Sequence, residues 1–293
     1  ANGNMAETAW QILAILENLN VVSASFAHDY LGQLYETFFR YTGGNTIGQY
    51  FTPRHITRFM ADLCEVTKDD IVIDPACGTG GFLISCLQRV HEITGCKYED
   101  VVKLVRNNLI GYESEPVTAA LCVTNMILRG DGKTGVRKAE CLSARKYPKG
   151  KCDVSLMNPP FPHKKTDVPP QRFVERALEA LKKRGRLAVI LPTSMVVKKN
   201  LGSWREKILK DNTLLAVAQL PDELFQPYAS ATTSVVVLQK GVPHSPALKT
   251  VFLRVQYDGL TLKKGARVPR EDGKNQLQEA VTAFLNKSSK SGF

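Results

Sequence analysis

Four residues, Asn158-Pro159-Pro160-Phe161, carry the most specific chemistry in the sequence. An aromatic exocyclic nitrogen such as N6 of adenine has its lone pair delocalised into the ring. It accepts a methyl group only if it can rehybridise toward tetrahedral geometry, and two acceptors aimed at its two N–H bonds favour that change. The Asn158 side chain offers one oxygen and the Pro159 carbonyl a second, on a loop whose two prolines fix φ and bring no N–H donor. Phe161 then offers an apolar face for a base taken out of its stack. Neither a metal nor a histidine is required. No cysteine stands in this stretch, and Cys152 precedes it at the start of a strand, so direct transfer without a covalent enzyme intermediate is expected.

Upstream, "DPACGTGGF" runs from Asp74 to Phe82. Gly78, Gly80 and Gly81 allow a tight turn and close backbone approach to a ligand at a helix N-terminus. At position 80 a side chain is expected to occupy the ligand's space. A dinucleotide fingerprint would need glycine at 83, where Leu83 stands, and Asp74 puts an anion where a pyrophosphate would lie. A ligand with an ammonium and a sulfonium suits that carboxylate better. Glu113 is placed to accept the ribose hydroxyls of an adenosine ligand. Glu115 reads as a first-turn acid favoured by the helix dipole, and Glu140 as an acceptor for an adenine amine or a solvated strand end.

Two further stretches flank these residues. In "QYFTPRHITRFM" (49–60) one reading is a helix N-terminus, with Thr52 as cap, Pro53 in the first turn and Ile56, Phe59, Met60 and Leu63 facing the core. The other is a lid over a ligand. In "FPHKKTDVPPQR" (161–172) the cations His163, Lys164, Lys165 and Arg172 follow the target motif without apolar periodicity. That loop is expected to move freely without nucleic acid and to close on backbone phosphates, the plain alternative being a solvated connection.

The elements that must position these residues alternate. Strands are predicted over 71–74, 108–113, 135–140, 153–159, 185–192, 214–221 and 232–240, with helices over 81–93, 115–129, 171–184 and 203–211. That rhythm predicts a doubly wound α/β sheet, mostly parallel and covered on both faces, with its ligand beyond the carboxyl ends of the strands. Only a short segment separates the last two strands, which suits an antiparallel seventh strand. Apolar spacing over 7–40 predicts helices ahead of the sheet. Past 241 come an edge strand, a helix over 276–286 and a solvated tail. The expected organisation is a helical segment over 1–46, a catalytic domain over 47–242 and a C-terminal segment over 243–293.

The 293 residues, 43% of them apolar, suffice for one large core. No apolar run approaches the roughly 20 residues of a membrane span, and no secretory signal is visible, so the expected compartment is the cytoplasm. Seven scattered cysteines without a CxxC pair indicate neither a disulfide frame nor a zinc site. The net charge of +11 suits a polyanionic partner.

In this order, "GQYFTPR", "DPACGTGGF", "NMILRGD" and "NPPF" resemble the modification subunit of type I restriction-modification systems, the amino-methylating DNA adenine methyltransferases. The resemblance runs from about residue 29 to 240. It implies a Rossmann-like class I fold and S-adenosylmethionine as donor. It further implies that Tyr50, Phe51, Thr52 and Pro53 fold over the donor's methionine part, and that Asp74, Pro75, Ala76, Gly78, Thr79, Gly80, Gly81 and Phe82 form the loop around it. Glu113 would hold the ribose and Glu140 the adenine, while Asn158, Pro159, Pro160 and Phe161 receive the target base. The implied partners are double-stranded DNA, a DNA specificity subunit and a restriction subunit. The chain departs from the family pattern at Ala139-Glu140, where members carry Gly-Asp. It also has shorter helical ends and no segment that could read DNA sequence, so a separate subunit is expected to do so. Methyltransferases acting on RNA or on a protein glutamine share "NPPF", and a non-catalytic nucleic-acid-binding subunit would share the fold and charge. The lid stretch and "LPDELFQPYASATTSVVVLQK" favour the DNA family.

Overall fold

The computed structural model describes residues 51–131, 135–162, 164, 166–226 and 231–287. The helices expected over 7–40, Tyr50, His163, Lys165 and the tail past 287 lie outside the described residues.

Eight strands form the main sheet: β1 Val72–Asp74, β2 Leu109–Glu113, β3 Gly135–Lys138, β4 Cys152–Met157, β5 Leu181–Pro192, β6 Asn212–Gln219, β7 Thr233–Lys240 and β8 Val251–Arg254. Their order is β3-β2-β1-β4-β5-β7-β6-β8. Strand β7 lies antiparallel between β5 and β6, and the other pairings are parallel, as the short connection before it demands. The sheet has one strand more than the seven expected, because the edge strand after the Pro-rich turn joins it through Ala216–Gln219 of β6.

Along β4, β5 and β7 successive residues point to opposite faces, so the apolar side chains divide into two clusters. Val154, Leu156, Ala188, Ile190, Val235 and Val237 pack on one face against α1 Arg54–Leu63, α2 Gly81–Thr94, α3 Tyr98–Val105, α4 Pro116–Leu128 and α8 Leu277–Asn286. Met157, Leu187, Val189, Leu191, Val236 and Leu238 pack on the other against α5 Pro170–Ala180, α6 Thr193–Val197 and α7 Gly202–Asp211. Near-continuous apolar runs in these strands follow from burial on both sides.

Several elements depart from the sequence reading. Residues 181–184, expected to end a helix, begin β5: Leu181 pairs with Cys152, Lys182 reaches Asp153 at 2.8 Å, and Arg184 takes a positive φ of 68° beside the irregularity. Long-range pairing overrides the helical spacing of "ALEALKK" there. Helix α3 was not expected, since its buried residues are the valines Val101, Val102 and Val105, whose β-branched side chains lower helix propensity. A hairpin of β9 Leu260–Lys263 and β10 Ala266–Pro269 follows the main sheet and was also not expected.

Candidate active site

Strand β1 has β2 on one side and β4 on the other, so the crevice beyond their carboxyl ends is the topological switch point. A cleft opens there. Of the residues singled out from sequence, Phe51, Pro75, Ala76, Gly78, Glu113, Glu140, Asn158, Pro159 and Pro160 line it. Residues from the N-terminal stretch, three strand ends and the target motif are thus brought to one place. Tyr112, Ser114, Ala139, Cys141 and Phe173 complete the wall. Ser114 and Ala139 could have been found from their places beside strand-end acids. Nothing local marks Phe173, which enters from α5.

Asp74 ends β1 and is fully buried. Its Oδ1 accepts from the Ala76 N–H at 3.0 Å, while Oδ2 has no hydrogen-bond partner among the described residues. Burial, helped by the nearby Glu113 charge, pushes this carboxyl well above its ordinary range. Glu113 ends β2 with Oε2 accepting from the Gly78 N–H at 3.1 Å and Oε1 from the Glu115 N–H at 2.8 Å. Burial raises its pKa too, against the lowering effect of those bonds. Glu115, expected as a first-turn acid, is instead the N-cap of α4, accepting from Val117 and Thr118 N–H, so its role is structural. Glu140 is exposed, and its Oε1 accepts from the Leu142 N–H at 3.1 Å.

The glycines divide in function. Gly78 has φ +53° and nothing within 4 Å of where a Cβ would stand, so it leaves open space at the cleft. Gly80, with φ +91°, would direct a Cβ to 2.9 Å from Cys122 Sγ on α4. The expectation that a side chain at 80 would fill the ligand's space is therefore corrected: it would strike the helix behind the turn. Thr79, Gly80, Gly81 and Phe82 build the turn and the start of α2 and do not form the cleft wall: Thr79 O accepts from Asn125, Gly81 O from Arg54, and Phe82 is in the core.

The lid stretch differs from a plain helix start. Helix α1 begins at Arg54 with Pro53 at the cap and no side-chain capping bond. Thr52, read locally as that cap, instead accepts from Asn158 Nδ2 at 3.1 Å. Its hydroxyl is recruited by the target motif while Ile56, Phe59, Met60 and Leu63 are buried as the spacing predicts. Phe161 is also displaced from its expected place: it is 9% exposed, sits edge-to-face on Phe225 at 6.4 Å and is absent from the cleft wall.

Arg172 lies exposed in the first turn of α5, so the cationic stretch ends on a helix. Lys164 is exposed in a turn closed by its N–H on Asp167 at 2.8 Å. Cys141 in the cleft wall was missed from sequence, and burial pushes its thiol upward. The cysteines described are free. Among the described residues no cluster of metal-ligating side chains occurs, and no helix is long and apolar enough to cross a membrane.

Sheet order, glycine turn and strand-end acids define the fold of a class I S-adenosylmethionine-dependent methyltransferase. The chain belongs to the N-6 DNA methylase family, which matches residues 26–293. It is 32% identical, over 97% of its length, to the type II restriction enzyme and methyltransferase RM.BcgI of Heyndrickxia coagulans, 46% of which is covered. It is 29% identical, over 78% of its length, to the type I restriction enzyme EcoEI methylase subunit of Escherichia coli, 50% of which is covered. Among solved structures it is similar to the type I restriction-modification system methyltransferase subunit from Streptococcus thermophilus, with TM-score 0.61 and 19% identity over 84% of this chain and 55% of that one. The EcoKI M protein gives TM-score 0.57 and 25% identity over 67% of this chain and 45% of that one. The chain spans about half the length of the curated relatives it matches.

Proposed function

We propose that this chain is the catalytic core of a DNA adenine-N6 methyltransferase of the type I modification kind, with S-adenosylmethionine as donor and sequence reading supplied by a separate specificity subunit. The observation that carries the reading is the union in one cleft of Asn158-Pro159-Pro160 with Pro75, Ala76 and Gly78 of the glycine turn and Phe51 of the lid, with Asp74 buried directly behind that turn. Asp74 Oδ2, without a hydrogen-bond partner among the described residues, fits an ammonium, the space at Gly78 fits close approach, and Glu113 fits a ribose. When bound, the donor supplies a methyl group on a sulfonium. The protein's own part is to bind and orient. With Nδ2 turned to Thr52, the Asn158 amide directs Oδ1 away from the lid, and Oδ1 and the Pro159 carbonyl accept from the target amine. Acceptors fixed in advance favour the nitrogen's rehybridisation without reorganisation during transfer. The cations after the target motif, His163, Lys164, Lys165 and Arg172, are assigned to phosphate contact from their place in the sequence, and of them Lys164 and Arg172 are described and exposed.

Single-turnover methylation of unmethylated duplex DNA, with specificity subunit present and donor saturating, tests the assignment. Asn158→Ala should slow the chemical step by roughly 10²–10³-fold with donor affinity barely changed. Full-rate transfer by this variant would remove Asn158 from the reaction. A second reading is favoured by the 32% identity to a combined type II enzyme: the same methyltransferase core within a restriction-and-methylation polypeptide. Cleavage of DNA, besides its methylation, by the natural full-length polypeptide would select it.

A further inference from the structure

Outside the cleft, one buried cluster joins the C-terminal hairpin to both sides of the target motif. The Asp258 side chain is completely buried and lies just before β9. Its Oδ2 is 2.8 Å from His55 Nε2 and 3.1 Å from Arg267 Nη1, and its Oδ1 accepts from Arg267 Nη2 at 2.6 Å and the Leu260 N–H at 3.2 Å. Arg267 also donates to the Leu260 carbonyl at 3.1 Å and reaches the Leu224 carbonyl at 3.5 Å, and it faces Glu223 at 3.6 Å.

Two arms lead from this cluster to the motif. His55 stands in the first turn of α1, where the Ile56 and Thr57 N–H groups bond to the Pro53 carbonyl, directly after the Thr52 that accepts from Asn158. On the other arm Leu224 precedes Phe225, whose ring meets Phe161 edge-to-face. A buried ion pair serving stability alone would be expected to contribute little over an apolar substitute. This one is joined to the lid and to the target motif at the same time.

We infer that Asp258, with His55 and Arg267, is a positioning centre that fixes the lid's entry into α1 and, through Thr52, the orientation of the Asn158 amide. The inference rests on the methyltransferase reading above. His55 is the informative site, because its side chain is a quarter exposed and its replacement leaves the Asp258–Arg267 pair in place. His55→Leu removes the bond to Asp258, and His55→Gln restores a donor.

Two readouts are taken on the full protein with its specificity subunit: hydrogen exchange of the Ile56 and Thr57 amides without DNA, and single-turnover methyl transfer from saturating S-adenosylmethionine. His55→Leu should exchange faster and transfer about tenfold more slowly than His55→Gln, the scale of a small misplacement of a reacting group. Donor affinity should agree between the two variants within about threefold, so that the loss falls on the chemical step. Equal exchange in the two variants overturns the clamp, as do equal transfer rates. If the unsubstituted protein transfers no methyl group to DNA, the functional reading fails, while exchange still decides the clamp.

Discussion

Asp74 has opposite effects on the free and the liganded protein. Its carboxyl is buried, and among the described residues one oxygen has no hydrogen-bond partner, so in the free protein burial shifts it toward the protonated form. A cationic ligand favours the ionised form, so donor affinity should rise with pH until Asp74 ionises unaided. Binding below that point should release a proton, which calorimetry in buffers of different ionisation enthalpy measures. The same shift sets stability: the folded pKa lies above the unfolded one, so the contribution is complete below about 4 and is lost as pH rises through the folded value. Asp74→Asn can keep the Ala76 bond and has no charge to bury. It should therefore make the free protein more stable than the parent at pH 8 in urea titration, while calorimetry shows S-adenosylmethionine binding lost or severely weakened. Unchanged affinity would refute the assigned pocket. Cys152 should be dispensable: it begins β4 at the end of the sheet away from the cleft, with its thiol pushed up to about 12 chiefly by burial. Cys152→Ser should methylate at the parental rate.

At the scale of elements the glycine turn separates two demands that its sequence merges. Gly80→Ala meets both a positive φ and Cys122 Sγ, and should cost about 1–3 kcal/mol in urea denaturation. Cys122→Ala in the same chain should recover part of that loss, a non-additivity expected of touching residues. Gly78→Ala has only its φ to strain and should cost about 1 kcal/mol, yet weaken donor binding more than Gly80→Ala does. The sequence read the turn but not this division, because Cys122 approaches from a helix more than forty residues away. Much of the rest was legible for local reasons. Strand-end positions placed Glu113 and Asn158 at one crevice, and apolar spacing placed the α1 core face. What was not legible depends on contacts distant in sequence. The Thr52 hydroxyl looks like a cap until Asn158 claims it, Phe161 looks like a platform until Phe225 covers it, and Asp258 stands 203 residues from His55.

For the whole molecule, a net charge of +11 draws any polyanion, so charge alone cannot identify a DNA-binding face. Position can. Lys164 and Arg172 are exposed and follow the target motif, on the carboxyl side of the sheet, whereas Lys151 and Lys183 are exposed beside the starts of β4 and β5 at the opposite end. Removing either pair takes away two positive charges, so an effect of net charge would treat the pairs alike. A phosphate contact releases a counterion only where it is made, and each lost contact lowers the salt slope by roughly one. Affinity for a DNA duplex, measured against salt concentration with the specificity subunit present, should therefore lose about two units of slope in Lys164→Ala with Arg172→Ala. The Lys151→Ala, Lys183→Ala protein should keep the parental slope. An equal change in both proteins would assign the attraction to net charge, and an unchanged slope in the first would leave residues 161–172 as a connection between β4 and α5.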